Sequence, residues 1–275
     1  MKPAVAPSVC VVIPVYKPTL TAHEQISLAQ CMRVLGHYPV ILARPHNLDV
    51  SAYVTPYPTL QQRSFDDGFF RDIQAYNRLM MSETFYRAFT DYEYMLIYQL
   101  DAFVFRDDLA DWCRRGYEYI GAPWLRDRDF TGWRDEFFFN VRKRIAIWLD
   151  LKKADGVTPR EITSLNSVGN GGLSLRRIPS MLRWLRFYRR KINYYERTHA
   201  HQYNEDVFWG IEINRYVPLL RVPDFRTALR FAVEFYPERA ISVYNGGQLP
   251  FGCHAWDIHG TDYWRPIFAQ YGYAI

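Results

Sequence analysis

Cysteine is scarce and scattered in this chain: Cys10, Cys31, Cys113 and Cys253 are the only four in 275 residues. No two stand in a Cys-x-x-Cys pair, which leaves a disulfide framework and a zinc ribbon unsupported. A long charge-free apolar run is also missing. The first apolar stretch, from residue 9 to residue 15, is too short to span a bilayer and is not followed by a small-residue cleavage site. These absences predict a soluble, cytoplasmic protein whose only membrane contact is peripheral, at the inner face. There is no Gly/Ser or Pro linker, internal repeat or low-complexity tract, so one domain over residues 1–275 is expected.

Aromatic residues are abundant, with 18 Phe, 21 Tyr and 8 Trp. Such side chains suit a groove for sugars or bases, but they also fill cores. The net charge of +5 is small and unevenly spread. One basic segment holds Arg176, Arg177, Arg183, Arg186, Arg189, Arg190 and Lys191; another holds Arg142, Lys143, Arg144, Lys152 and Lys153. Either could meet phosphate, an anionic membrane surface or nucleic acid, or simply form a solvated helix face. Nucleic acid ranks lowest, because the basic residues fall on expected helix faces.

The β-branched run 8–16 reads as a buried parallel strand. Residues 21–35 carry Ile26, Leu28, Ala29, Met32 and Leu35 at helical spacing, with Gly36 as a stop, and 38–43 is a second strand. This strand–helix–strand opening predicts an α/β fold with a mostly parallel sheet flanked by helices. Further strands are expected at 94–100, 117–124 and 173–175. Helices are expected within 69–90 and at 109–116, 179–197 and 224–235, with another starting near Val207. Residues 126–163 read as a lid or an inserted helix pair.

Four features could carry chemistry. The apolar run 95–105 is broken by Asp101 alone, and a carboxylate there is costly unless paired, hydrogen-bonded or bound to a cation. Magnesium-type sites use one or two carboxylates and leave room for substrate phosphates. The turn Gly169-Asn170-Gly171-Gly172 offers positive φ and close backbone approach, but it is neither a Walker A loop nor a dinucleotide fingerprint. Glu205-Asp206 stands at an expected helix start, where the dipole favours acids; burial of one beside the other would instead raise a pKa towards that of a general base. His254 and Trp256 offer a ligand nitrogen and a stacking surface.

In order along the chain stand Ile-Pro-Val-Tyr-Lys-Pro (13–18), Tyr-Asn-Arg-Leu-Met (76–80), Tyr-Gln-Leu-Asp-Ala-Phe-Val-Phe (98–105) and Tyr-Ile-Gly-Ala-Pro-Trp (119–124). Gly-Asn-Gly-Gly-Leu-Ser-Leu-Arg (169–176), Asn-Glu-Asp-Val-Phe-Trp (204–209) and Phe-Gly-Cys-His-Ala-Trp (251–256) follow. Through these seven motifs, covering residues 11–256, the chain resembles the DUF5672 family, which is similar in layout to GT-A nucleotide-sugar glycosyltransferases.

The resemblance implies a single GT-A-like, Rossmann-like domain with a donor half near 8–125 and an acceptor and catalytic half near 165–260. Asp101 would be the last acid of an Asp-x-Asp metal motif whose first acid is here Gln99, and His254 a second ligand to Mn2+ or Mg2+. Val15, Tyr16, Lys17, Asn77, Arg78, Gln99 and Asp101 would surround the nucleotide-sugar, expected to be a UDP-sugar. Asn170, Gly171, Gly172 and Trp256 would contact substrate. Asp206, with Glu205 second, would deprotonate a saccharide or other hydroxyl acceptor in an inverting, metal-assisted transfer. The alternative is a non-catalytic nucleotide-sugar or glycan-binding protein with a degenerate metal motif.

Overall fold

The structure, a computed structural model, describes residues 7–198 and 201–275. β1 (Val9–Pro14) is buried along its whole length, as a strand covered on both faces must be. The helix Ala22–Leu35 begins with a capping box. The Thr21 hydroxyl accepts from the Glu24 amide at 3.2 Å, and the Glu24 carboxylate accepts from the Thr21 amide at 2.8 Å. β2 (Val40–Pro45) returns parallel to β1, followed by β3 (Gln61–Phe65), parallel to β2. β4 (Tyr94–Tyr98) pairs parallel to the other side of β1.

The six-stranded sheet runs β3-β2-β1-β4-β7-β6 once β6 (Tyr119–Gly121) and β7 (Leu173–Arg177) are added. β7 is antiparallel to both of its neighbours, so the sheet is mixed but mostly parallel, as the sequence predicts. A smaller sheet, β5 (Phe103–Val104), β9 (Gly252–Cys253) and β8 (Ala232–Val233), stacks a second apolar cluster containing Trp256, Trp264 and Phe268. Among the described residues no helix is long and apolar enough to cross a membrane.

Three expectations are corrected, and one unexpected strand is added. β3 was hidden because Gln61, Gln62 and Ser64 are polar and exposed; this is an edge strand paired on one side with β2. The expected basic helix breaks at Tyr188 into Ile178–Phe187 and Arg189–Arg197. The expected helix 224–235 stops at Phe231, and Ala232–Val233 extends into β8. Residues 126–163 form one long helix, Trp133–Trp148, and a short turn, Glu161–Thr163, rather than a helix pair. All four cysteines are free and buried, in keeping with the absence of a disulfide framework.

Candidate active site

Strand order reverses between β1 and β4, since β2 lies on one side of β1 and β4 on the other. In open α/β sheets such a switch point opens a crevice beyond the carboxyl ends of the two strands. A cleft of about 590 Å³ lies there, lined by Val15, Tyr16 and Lys17 after β1 and by Gln99, Leu100 and Asp101 after β4. Its volume is in the range of small-molecule sites. Sequence reasoning missed Arg71, Asp72, Tyr76 and Asp257, which also line it. They lie on loops and helices whose approach to the strand ends depends on the whole fold. The Lys17 ammonium sits 2.8 Å from Glu24, and the Tyr53 hydroxyl donates to the Lys17 carbonyl at 2.8 Å, fixing the start of this loop.

Asp101 and His254 meet at one end of the cleft. The small sheet brings them together, because β5 follows Asp101 and β9 precedes His254, and these strands pair antiparallel. His254 Nε2 lies 3.0 Å from Asp101 Oδ1, yet neither atom has a well-directed hydrogen bond, and both are buried. Burial alone would lower the His254 pKa, but the Asp101 charge, with Glu234 behind, pushes it up to about 10. Burial acts to raise the Asp101 pKa, and the facing imidazole outweighs it, holding the carboxyl below its usual value. Two poorly satisfied donors of opposite protonation behaviour, converging on one point, suit a cation that would displace the imidazole proton. Among the described residues no set of three or more His, Cys, Asp or Glu converges in ligand geometry. A cation held here would therefore take its remaining ligands from phosphate oxygens and water.

Glu234 is a further site residue that sequence reasoning passed over. It follows β8 directly and lies 3.7 Å from His254 Nδ1. Asn170, at φ 63°, donates from Nδ2 to Glu234 at 2.5 Å and contacts His254 Nδ1 at 3.0 Å, while its Oδ1 accepts from the Gly172 amide. The signal existed: Phe231-Ala232-Val233 is an apolar run ending in a carboxylate, the same pattern that marked Asp101. Reading the segment as a helix hid it.

The glycines of the turn act by lacking side chains, while its positive φ belongs to Asn170. A Cβ on Gly172 would lie 1.8 Å from His254 Nε2, and one on Gly171 would lie 2.1 Å from Glu205 Oε1. Thus the turn presses backbone against the two groups it positions.

The adjacent acids Glu205 and Asp206 have separate fates. Glu205 is buried and its Oε1 accepts from Arg176 at 2.8 Å; Arg176 is itself fully buried and also donates to Tyr86 and Ser174. That ion pair removes Glu205 from the expected role of base. Asp206 has no basic partner within salt-bridge distance among the described residues. Burial, then the Glu205 charge, with Glu234 adding to them, pushes its pKa up to about 7. This is the range a general base needs.

The contacts expected of Trp256, Asn77 and Arg78 are not made. Trp256 is fully buried against Phe268 and His23, so it cannot stack on a sugar. Asn77 bonds Asn204 and the Glu205 amide, each at 3.0 Å, and ties its helix to that loop. Neither Asn77 nor Arg78 lines the cleft. Gln99 lines it, but its amide donates to the Tyr76 hydroxyl at 3.2 Å. The basic helices, for their part, are largely neutralised: Arg177, Arg183, Arg186 and Lys191 pair with Glu93, Glu118, Glu83 and Glu212.

Residues 59–254 match the model of a family described as a protein of unknown function, DUF5672. The chain belongs to this family. No curated protein matches it. Among solved structures, mouse xyloside xylosyltransferase 1 in its apo form is similar at 12% identity and a TM-score of 0.52, over 90% of this chain and 97% of that one. The bifunctional glycosyltransferase WbbM, also apo, matches at 13% identity and a TM-score of 0.48, over 92% of this chain; the match spans about half, 46%, of WbbM. The DUF5672 chain thus has a glycosyltransferase-like, GT-A-type fold.

Proposed function

We propose that this DUF5672 protein transfers a sugar from a nucleotide-sugar, a UDP-sugar in the first instance, to a saccharide or other hydroxyl acceptor with inversion. The observation that carries this reading is the cleft at the β1–β4 switch point, with Asp101 and His254 converging on one end. Its charged lining supports a metal-assisted donor. Two basic side chains, Lys17 and Arg71, face four carboxylates, Glu24, Asp72, Asp101 and Asp257, so a diphosphate would enter a net negative site. A divalent ion held by Asp101 and His254 would offset that repulsion and neutralise charge on the leaving diphosphate.

The protein's own groups account for the rest of the chemistry. Val15, Tyr16 and Lys17 lie against the nucleotide, and Gln99 stays tied to Tyr76 as part of the wall. Asn170 and Glu234 fix the His254 ring. Asp206 takes the proton of the acceptor hydroxyl as its oxygen bonds to the anomeric carbon. The bond from that carbon to the diphosphate breaks, and its electron pair leaves with the nucleoside diphosphate. Residues near 8–125 would then form the donor half and 165–260 the acceptor half.

Calorimetric titration of UDP with and without Mn2+ tests this, together with hydrolysis of UDP-sugars by wild type, Asp101→Ala and Asp206→Asn. Asp101→Ala is expected to lose the Mn2+-dependent part of UDP binding. Asp206→Asn is expected to keep binding and lose turnover. Mn2+-dependent UDP binding by a wild type that turns over no donor would favour the non-catalytic binding protein. Absence of nucleotide binding with any donor base would overturn both readings.

A further inference from the structure

The helix Trp133–Trp148 is turned the opposite way from an ordinary surface helix. Trp133, Phe137, Phe138, Val141, Ile145, Trp148 and, just beyond its end, Leu149 are exposed, from 39% at Val141 to 74% at Trp133. At 3.6 residues per turn these positions fall on one half of the helix surface. The same half carries Arg134, Arg142 and Arg144. Glu136 turns to the protein and pairs with Arg226 at 2.7 Å, while Asp135, at the edge of the outer half, is partly exposed and lies 3.9 Å from the buried Arg126. Lys143 also turns inward, donating to the Leu165 carbonyl at 2.8 Å, and burial lowers its pKa to about 7. Arg144 donates to the carbonyls of Asn214 and Tyr216, which keeps its charge and brings the exposed Tyr216 and Val217 alongside the helix.

We infer that this face docks on an anionic lipid bilayer, lying flat with Trp133, Phe137, Phe138 and Trp148 in the headgroup and acyl boundary. The composition fits such an occupant: aromatic and aliphatic side chains to bury, arginines to meet lipid phosphates, and a single helix acid, Asp135, only at the edge and beside Arg126. A second copy of the chain fits badly. A two-fold contact through this face would set three arginines against three others, with no carboxylate of the helix near them but the edge residue Asp135, already beside Arg126. The face lies on the 126–163 segment, outside the cleft, so docking does not depend on the proposed glycosyl transfer.

The full chain is tested by flotation with phosphatidylcholine vesicles, with and without phosphatidylglycerol, at low and high salt. Binding is expected only with the anionic lipid and should weaken with salt, as surface charge is screened. Arg134→Gln and Arg142→Gln should each weaken binding about five-fold. Phe137→Ser/Trp148→Ser should abolish flotation with little loss of thermal stability, because both side chains are more than half exposed. Brominated lipid should quench wild-type tryptophan fluorescence and quench the Trp133→Phe/Trp148→Phe variant much less. Wild type that fails to float, equal binding to neutral vesicles, or equal binding by Phe137→Ser/Trp148→Ser would each overturn the proposal. So would a concentration-dependent dimer that the same double variant dissolves.

Discussion

Glu205→Ala is the substitution whose consequence follows most directly from the packing. It would leave the Arg176 guanidinium, fully buried and 2.8 Å from the Glu205 carboxylate, with only the Tyr86 and Ser174 hydroxyls as partners. Breaking a buried ion pair by removing one member costs about 3–5 kcal/mol, because the other charge stays desolvated. An unfolding entropy of ~2.1 cal/mol/K per residue over 275 residues gives about 0.6 kcal/mol/K. The melting temperature should therefore fall by about 5–9 °C, measured by circular dichroism near neutral pH. The double variant Arg176→Met/Glu205→Leu should recover most of the loss, since an apolar pair removes both desolvation costs. A loss below about 1 kcal/mol, the level of an exposed pair, would refute the reasoning. So would a double variant no more stable than the single one.

Two further outcomes are expected. Asp206 keeps in the folded state a proton that it sheds near pH ~4 when unfolded, because burial and the neighbouring acids raise its pKa to about 7. Its contribution to stability is therefore lost as pH rises through about 7, and Asp206→Asn should show a flatter stability profile and a higher melting temperature than wild type above that pH. Wild-type turnover should rise over the same range as the carboxylate forms, and a flat rate profile would count against Asp206 as the base. Gly172→Ala would place a methyl group 1.8 Å from His254 Nε2 and push the ring away from Asp101. Mn2+ affinity in the presence of UDP should drop about 10–100-fold, and an unchanged titration would remove His254 from the cation site.

Much of this molecule is written locally. The buried run 9–14, the Thr21–Glu24 capping box and the apolar stretch 94–98 each specify their element through nearest neighbours alone, so the parallel core of the sheet could be read from sequence. Asp101 announced itself in the same way, as a lone charge in an apolar run. Tertiary structure decided what lies around it. Whether Glu205 or Asp206 stays free depends on Arg176, which reaches Glu205 from a different strand. Whether Trp256 meets solvent or core depends on Phe268, and whether Asn77 faces the cleft or the 204–205 loop depends on how two helices pack. β3 and β8 escaped notice because one is polar and the other two residues long, and both become strands only through the partner beside them. The outward face of the Trp133–Trp148 helix was hidden for the reverse reason: arginines and aromatics share its outer half, while Glu136 turns inward to Arg226, 90 residues along the chain. Sequence fixes which side chains are costly to bury or to expose, whereas the charge or surface that relieves the cost comes from parts of the chain that only folding brings near.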